Sequence, residues 1–449
     1  MRFKPTLILL VITIIALGYF FRVEQPRHRR QQDKAISEHR LTEIKAEDIG
    51  AATLVRPDAT LVFFSRDGTW RMSKPTEDRA DQASVNTLVR TVVDAQIHSQ
   101  FAAEQDQLAD YGLENPAATL RLGDDARDDL LVIEIGDFNL TKTHCYARER
   151  ASANVLLLPA GLRRYAVRSV FEFRDKKVTD IDVDDVVTLS VASGQQQLTW
   201  HRASDDQWVS YQSADTIRGD KSSVEAILRE LRALRAKDLL DDGPADMERL
   251  FTSPAGEISL WLRSDSMKVA FLFSQRDSSG CFVKVDAKRR IELVDATALD
   301  VFDRSLADLR DRKLLHFARD RLARVALEAE GLSISIVKSG TTWSFANPTF
   351  GAIDPAAMRT FLNELESLKY RTIIEETLSD PRAYGLDPPS YRLMLYDDDG
   401  HMIDQLTSGA TRPGPRLRYA TSLSSRHMGT IDAEPLEEIR SMFEDFRLQ

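Results

Sequence analysis

The sequence predicts an α+β fold class, namely an N-terminal transmembrane helix followed by three tandem α+β repeats with mostly antiparallel sheets. Two observations lead to this prediction. A tryptophan that ends a strand-like run recurs at Trp70, Trp208 and Trp343, with spacings of 138 and 135 residues. An uncharged apolar stretch stands before the first copy. We expect each copy to run β-β-α-β-β-β-α.

The apolar stretch extends from Pro5 to Phe21 and is flanked by basic residues. Its 17 residues reach the short end of the membrane-spanning range, so we expect a transmembrane anchor at residues 1–21. A cleaved signal peptide is the alternative, because Ala16-Leu17-Gly18 places small residues where a signal peptidase cuts. Residues 22–45 are expected to form a charged linker.

The charges around this segment leave its membrane orientation open. Basic residues are more numerous after the stretch than before it, which favours a cytoplasmic bulk by the positive-inside rule. A short basic start before an apolar segment is nevertheless the usual export signal, and long domains translocate largely regardless of charge. We expect a single-pass protein of the inner (cell) membrane with its bulk in the periplasm or another extracytoplasmic space.

Composition narrows the classes of function. The net charge of −10 argues against a nucleic-acid partner, since such a protein needs a basic face to neutralise phosphates. Two cysteines, Cys145 and Cys281, exclude a disulfide-rich scaffold and a metal cluster built from cysteines.

Further markers recur in the same order and set the expected repeats at residues 46–178, 179–314 and 315–449. Tyr111-Gly112-Leu113 returns as Tyr384-Gly385-Leu386, whereas the middle copy keeps only Pro254 of this region. The later markers are Cys145-Tyr146, Cys281-Phe282 and Arg418-Tyr419, and then the junction sequences Arg174-Asp175-Lys176-Lys177 and Arg310-Asp311-Arg312-Lys313. Such short junctions indicate repeats stacked directly on one another.

Helix and strand periods agree with this register. Asp81, Asp220 and Asp354 each precede apolar residues at +4, +7, +8 and +11, which is typical of an aspartate-capped helix with one core face. Alternating apolar residues predict half-buried strands, at Leu120 and Leu122, at Ile258, Leu260 and Leu262, and at Leu393 and Leu395. A closing helix is expected at the end of each copy, from Ala296 to Leu309 in the middle one.

The sequence carries no recognised catalytic motif. None of the eight histidines forms a zinc-protease pair, and no phosphate-binding loop or nucleophile elbow is present. His144 and Cys145 are adjacent in a predicted strand and so point to opposite faces. Asp397-Asp398-Asp399-Gly400 is interpreted as a hairpin turn, because it lacks the spacing of a calcium loop. We therefore expect no catalytic residue, no cofactor and no metal site.

The repeated Tyr-Gly pairs, Tyr111-Gly112 and Tyr384-Gly385, are the one possible interaction surface. Glycine at these positions indicates a tight turn with positive φ, which is an explanation from the fold alone. A binding lip formed by the tyrosines is the alternative.

These features together resemble the bacterial domain of unknown function 4340 family, from about residue 46 to the end. The features are the tandem Trp-x4-Pro pattern, the aspartate-capped helix, Tyr-Gly-Leu-x-x-Pro and a closing helix behind one N-terminal span. The resemblance implies an outward-facing membrane protein of the kind commonly associated with gliding-motility-type ABC export systems, and it brings no catalytic residues. The middle copy departs from the pattern, which suggests a divergent spacer or a specialised contact surface.

Three functions remain open at this level. The first is a non-enzymatic envelope protein that acts as an accessory or scaffold to a membrane transport or export assembly, with an ABC transporter or another envelope protein as its partner. The second is an extracytoplasmic solute- or glycan-binding component with aromatic platforms near Tyr111 and Tyr384. The third is a hydrolase whose site is assembled between repeats.

Overall fold

A computed structural model describes residues 39–124, 129–150, 152–212, 215–241, 245–263, 267–286, 288–329, 331–347, 351–411 and 416–448. The expected anchor at residues 1–21 and most of the expected linker lie outside the described residues. Within the described part of the chain, no helix combines the length and the apolar character needed to cross a membrane.

The described residues form three sheets of nine, nine and eight strands, with helices between them. The α+β class with mostly antiparallel sheets is thus confirmed, and three sheets agree with three repeats. The chain divides into two compact units, Met1–Leu198 with Ile227–Asp303 and Thr199–Ala226 with Arg304–Gln449. The border between the units therefore passes through the middle repeat.

The first sheet lies in the first unit. Its strands are β1 Ala51–Val55, β2 Thr60–Arg66, β3 Thr69–Lys74, β4 Asp78–Arg79, β5 Ser99–Ala102, β6 Ala118–Gly123, β7 Leu131–Phe138, β8 His144–Glu149 and β9 Asn154–Pro159. They are ordered β4-β3-β2-β1-β6-β7-β8-β9-β5. The central pair β1 and β6 is antiparallel and places Leu54 opposite Leu120, so distant parts of the repeat meet in the core.

The second sheet contains the strands of the middle repeat. They are β10 Val186–Ser193, β11 Gln196–Arg202, β12 Trp208–Gln212, β13 Asp215–Arg218, β14 Asp238–Leu240, β15 Gly256–Leu262, β16 Lys268–Phe273, β17 Cys281–Val285 and β18 Ile291–Val294. In the first unit the order is β10-β15-β16-β17-β18-β14, and in the second unit β12 pairs antiparallel with both β11 and β13.

The third sheet lies in the second unit. Its strands are β19 Arg324–Ala329, β20 Leu332–Ser339, β21 Thr342–Phe345, β22 Thr372–Glu375, β23 Tyr391–Tyr396, β24 Met402–Thr411, β25 Leu417–Ser422 and β26 Met428–Asp432. Their order is β21-β20-β19-β23-β24-β25-β26-β22, which reproduces the first sheet apart from its edge strand β4.

The helices are short except for one amphipathic helix in each repeat and the last helix. They are α1 Gln82–Val93, α2 Gly161–Ala166, α3 Val170–Phe173, α4 Lys221–Ala233, α5 Ala245–Glu248, α6 Leu306–Leu309, α7 Pro355–Ser367 and α8 Glu434–Leu448. The 3-10 helices are Ala46–Asp48, Gln105–Tyr111, Val183–Asp185, Arg249–Phe251, Ala296–Asp303 and Arg382–Tyr384.

The predicted aspartate caps are confirmed in all three repeats. The carboxylates of Asp81, Asp220 and Asp354 accept hydrogen bonds of 2.8, 2.8 and 2.9 Å from backbone N–H groups three residues ahead. The apolar stripe that follows each cap is buried, namely Val85, Leu88, Val89, Val92, Val224, Ile227, Leu228, Leu231, Met358, Phe361, Leu362 and Leu365. Each buried side chain of this size stabilises the fold by about 1.5–3 kcal/mol.

Strand alternation is confirmed in β6, whereas in β15 Leu262 is only half-buried and in β23 Met394 on the other face is buried as well. Leu120, Leu122, Leu393 and Leu395 are fully buried on the core faces of β6 and β23. They belong to two large apolar clusters, one within the first repeat and one within the third. Each of these repeats thus has a core of its own.

Three details differ from expectation. The first repeat has four strands before its amphipathic helix and five after it, more than the two and three expected. The marker tryptophans do not end strands but open β3, β12 and β21, because Gly68, Asp206 and Gly340 take φ of 73°, 64° and 60° and form hairpin turns just before them. The closing helix of the middle repeat is a 3-10 helix followed by the single turn α6.

Candidate functional site

The two junction sequences form the same backbone contacts with the repeats on either side. At the first junction, Asp175 N–H donates to Arg79 O at 2.9 Å, and Ala236 N–H donates to Lys176 O at 2.8 Å. At the second, Asp311 N–H donates to Arg218 O and Tyr370 N–H donates to Arg312 O, both at 2.8 Å. Each junction is therefore held to the repeat before it and to the repeat after it.

Arg174 is the centre of the first junction. Its side chain is only 5% exposed, its Nε donates to Asp78 Oδ2 at 2.8 Å, and its two terminal nitrogens donate to both oxygens of Asp241 at 2.7 Å. Burial by itself would lower the pKa of Arg174, but hydrogen bonds to Asp241 and Asp78 outweigh burial and raise the pKa. Arg174 thus joins β4 of the first repeat to the residue that follows β14 of the second.

Arg290 extends this network from the second repeat. It is 7% exposed, pairs with Asp78, donates to Glu292 Oε1 at 2.9 Å and donates to Asp175 O at 3.0 Å. Glu292 is fully buried and also accepts from Lys288 Nζ at 2.7 Å. Burial lowers the pKa of Lys288, although Glu292 opposes this effect.

Five of these groups, Asp78, Arg174, Asp241, Lys288 and Arg290, line a cleft of about 670 Å³ within the first unit. Cations and anions alternate through Asp241, Arg174, Asp78 and Arg290, and both Arg290 and Lys288 pair with the buried Glu292. The lining contains no histidine, cysteine or serine. The chemistry of this cleft is that of a buried ion-pair network that joins two repeats.

Arg310 occupies the matching position at the second junction. It is 8% exposed and donates to both oxygens of Glu376 at 2.9 and 2.8 Å, and one of its nitrogens also donates to His427 Nε2 at 3.3 Å. The hydrogen bond from Arg310 lowers the pKa of Glu376. We call Arg174 and Arg310, with their carboxylate partners, the arginine clamps.

A second polar group beside Arg310 has the order of a serine-hydrolase triad. His316 Nε2 lies 2.8 Å from Asp311 Oδ2, and His316 Nδ1 lies 3.1 Å from Ser424 Oγ. Ser424, however, donates its hydroxyl proton to Asp404 Oδ2 at 2.6 Å, whereas a triad requires the imidazole to accept that proton.

Asp404 explains this group as a structural one. It is fully buried and also accepts backbone hydrogen bonds from His316, Gln405 and Ser424 at 2.8, 2.8 and 3.0 Å. A buried carboxylate held by this many donors fixes the chain after the second junction.

The Tyr-Gly pairs lie at equivalent turns of the first and third repeats. Gly112 and Gly385 end 3-10 helices with φ of 64° and 66°, which confirms the predicted tight turns. The carbonyl oxygens of the two tyrosines closely approach strands β7 and β24. A Cβ on Gly136 would lie 2.2 Å from Tyr111 O, and a Cβ on Gly409 would lie 2.1 Å from Tyr384 O. In the middle repeat the position equivalent to Gly136 is taken by Ser274, which follows Phe273. The middle repeat also lacks the Tyr-Gly pair whose carbonyl oxygen would approach this position.

The tyrosine rings themselves are half-buried and in contact with other aromatic side chains. Tyr111 packs against Phe101 and Tyr146 with ring centroids 5.2 and 4.8 Å apart, and Tyr384 packs against Tyr419 at 5.0 Å. The close approach of the two tyrosine carbonyl oxygens to neighbouring strands explains the Tyr-Gly motif as a feature of the fold. The interaction surface at Tyr111, Gly112, Tyr384 and Gly385 stays a prediction.

Histidine and cysteine positions agree with the sequence interpretation. Cys145 is fully buried while His144 on the other face of β8 stacks on His98, with ring centroids 4.4 Å apart. Burial raises the pKa of Cys145 to about 11, so the thiolate is disfavoured at neutral pH.

The acidic segment at 397–400 is a hairpin turn, as expected. Asp397 Oδ1 accepts from the backbone N–H groups of Asp399 and His401 at 3.1 and 2.8 Å. Ligand atoms of these three residues lie within 4.8 Å of one another, and Asp399 and His401 are exposed.

The family model described as Domain of unknown function (DUF4340) matches residues 70–250 and 208–389. The chain belongs to this family. Both matches begin at a marker tryptophan, and they overlap over residues 208–250 inside the middle repeat, as expected for a DUF4340 chain made of tandem copies.

No curated protein matches this DUF4340 chain. Among solved structures, a DnaN sliding clamp (DNA polymerase III subunit beta) from Pseudomonas aeruginosa bound to griselimycin is similar at 6% identity, over 88% of this chain and 92% of that chain. The TM-score of 0.14 is too low to carry a conclusion about fold or function.

The clamp arginines are the residues of this candidate site that sequence reasoning missed in this DUF4340 chain. Arg174 and Arg310 stood in the junction sequences, but their burial and partners were not predicted. One sequence signal could have identified them: the Arg-Asp-x-Lys pattern occurs twice, 136 residues apart, and each time at the junction of two repeats. Arg290 and its partner Asp78 carried no such signal.

Proposed function

We propose that this DUF4340 chain is a non-enzymatic, membrane-anchored envelope protein that acts as an accessory or scaffold to a membrane transport or export assembly. A scaffold has to hold its repeats in fixed register and present their surfaces to a partner. The observation that carries the proposal is the pair of arginine clamps, because a buried arginine at each junction pairs with a carboxylate of the following repeat.

The family resemblance supports the choice of partner. Subunits of an ABC transporter are the first candidates, with the bulk of the chain on the extracytoplasmic side of the inner membrane. The N-terminal apolar stretch Pro5–Phe21 supplies the anchor in this proposal.

The test is affinity capture of the full-length protein from detergent-solubilised membranes, with mass spectrometry of the co-purifying proteins. Protease treatment of spheroplasts from the same cells reports which side the bulk faces. We expect transporter subunits in the captured material and a protease-sensitive bulk. Capture of no membrane protein, or a bulk protected from protease, would contradict the proposal.

A matched pair of variants links this experiment to the clamps. Arg174→Ala removes a junction arginine, whereas Arg148→Ala removes an arginine that pairs with Glu134 inside the first sheet at 2.6 Å. We expect less partner recovery with Arg174→Ala than with Arg148→Ala, at equal protein level in the membrane. Equal recovery from both variants would show that junction geometry is not used in binding.

The non-enzymatic part has a separate test at Ser424. A fluorophosphonate probe reacts with serines that a neighbouring base activates. We expect the probe to label the wild type and the Ser424→Ala variant to the same extent. Labelling of Ser424 would instead favour the hydrolase hypothesis.

A further inference from the structure

The chain enters the first repeat at one end of its sheet. His39 O accepts a hydrogen bond of 2.7 Å from the N–H of Ile97, just before β5. The strand register places the start of β5, the end of β9 and the start of β8 side by side. The ring of His98 stacks on that of His144, at the base of the hairpin formed by residues 139–143. We call this end of the first sheet, with His39 and the hairpin 139–143, the entry end.

The register extends the entry end across the sheet to β1. Since β7 ends at the hairpin 139–143, its antiparallel neighbour β6 begins at the entry end, and β1, antiparallel to β6, ends there. Val55 is the last residue of β1. Arg56 follows it and donates a hydrogen bond to Arg168 O, so the chain that leaves α2 also lies at the entry end.

The exposed large apolar side chains in the described part of the first repeat all lie at the entry end. Leu140, in the hairpin 139–143, is 103% exposed, and Val167 and Val55 are 44% and 36% exposed. A fully exposed leucine adds nothing to the core of the repeat. Removing it from water against another apolar surface is favourable.

Two cations beside Leu140 have no acidic partner. At the entry end, Asp58, Asp137 and Glu172 each pair with an arginine, namely Arg56, Arg163 and Arg168. Lys142 and Arg164 are exposed and form no ion pair among the described residues; Arg164 donates to Lys142 O at 3.4 Å. An exposed leucine next to two such cations is the combination that binds the interface of an anionic membrane.

We propose that the entry end docks on a membrane surface that contains anionic lipid, with Leu140 in the interface and Lys142 and Arg164 against lipid phosphates. The proposal rests on the proposed membrane anchor, because the stretch Pro5–Phe21 has to hold the chain at the bilayer. Phe21 and His39 are 18 positions apart, so the segment between them spans at most about 65 Å. That segment leads to the entry end of the repeat.

The test uses the full-length protein in lipid nanodiscs of phosphatidylcholine, with or without phosphatidylglycerol. Thr141→Cys places an environment-sensitive fluorophore next to Leu140 and leaves the leucine in place. Both native cysteines are fully buried, so a maleimide dye reaches the introduced cysteine in the native protein. Thr69→Cys is the matched control, since Thr69 is an exposed threonine in the β2–β3 hairpin at the opposite end of the same sheet.

We expect spin-labelled lipids to quench the fluorophore at position 141 in discs with phosphatidylglycerol, and its emission to shift to the blue. Quenching should be weaker in phosphatidylcholine alone and absent at position 69. Protein that co-elutes with the discs while both positions stay equally unquenched would overturn docking and leave the anchor intact. Protein that does not co-elute with lipid would overturn the anchor and docking together.

Variants separate the charged and apolar contributions. Lys142→Gln combined with Arg164→Gln should lower the ratio of docked to undocked protein about 30-fold in anionic discs, as the loss of two basic residues near such a surface implies. Leu140→Ser should lower it about tenfold. Arg66→Gln combined with Arg71→Gln removes the same charge from β2 and β3 and should leave the ratio unchanged. An equal decrease in both double variants would contradict docking through the entry end.

Discussion

Replacing Arg174 with alanine removes the guanidinium that connects Asp78 and Asp241 across the first junction. Breaking a buried ion pair by removing one partner destabilises a protein by about 3–5 kcal/mol. The effect is smaller here because Asp78 keeps its contact with Arg290 and because Asp241, whose side chain is 39% exposed, regains water. We expect a loss of about 2–3 kcal/mol from the free energy that holds the junction closed.

Hydrogen exchange measured by mass spectrometry reports this loss locally. The amides of Asp175, Val178 and Ala236 donate across or along the junction at 2.9, 3.4 and 2.8 Å. Local opening controls exchange, so a loss of 2–3 kcal/mol should speed exchange of their peptides about 30- to 150-fold. A folded Arg174→Ala protein with unchanged exchange at these amides would refute the view that the clamp closes the junction.

Arg148→Ala is the control, since Arg148 pairs with Glu134 within one sheet. It should leave exchange at the junction peptides unchanged, although it weakens the contact between β7 and β8. Asp241→Asn should show a smaller effect than Arg174→Ala, because asparagine keeps one acceptor for the guanidinium.

Three further predictions concern the second unit and the cysteines. Gly409→Ala should destabilise the third repeat by about 2–4 kcal/mol in urea unfolding, because the new Cβ would lie 2.1 Å from Tyr384 O. Gly340→Ala is the control and should lose only about 1 kcal/mol, because Gly340 has a φ of 60° but open space around its Cβ position. Equal losses of stability in the two variants would refute the close approach at Gly409. The clamp lowers the pKa of Glu376, so its stabilisation is present above the unfolded pKa and is lost as pH falls through the folded one. The difference in melting temperature between wild type and Glu376→Gln should therefore shrink on acidification below about pH 4.3, and a constant difference would contradict this. Cys145 should resist iodoacetamide at pH 8 in the native protein and react in urea, since burial raises its pKa to about 11; equal rates in both conditions would contradict its burial.

Local features were predictable because neighbouring residues decide them. An aspartate before an apolar stripe caps a helix through its own backbone, as Asp81 and Asp354 do. A glycine that needs positive φ marks a turn, as Gly112 and Gly385 do. The tryptophan markers were correct as repeat markers but wrong as strand ends, since the left-handed residues before them turn the chain first.

The candidate sites were largely beyond sequence reasoning because they join residues far apart in the chain. Arg290 reaches Asp78 across 212 positions, and no local pattern links the two. The polar residues Tyr391, Ser408 and Arg418 of the third repeat belong to three different strands, and each taken alone is an ordinary strand residue. An alignment of the repeats places Arg418 at the position of Cys145 and Cys281. Only the strand register shows that Tyr391 and Ser408 are also polar replacements of non-polar residues in the other two repeats.

The sequence by itself determined the α+β class, the repeated unit, the capped helices and the tight turns, because the local periodicity of apolar residues and the backbone preferences of aspartate and glycine decide these features. Tertiary structure alone decided which charges are buried, that two junction arginines clamp adjacent repeats, and that Val55, Leu140 and Val167 lie exposed at one end of the first sheet. The physical reason is that burial and ion pairing depend on distances between residues that only the strand order and register bring together.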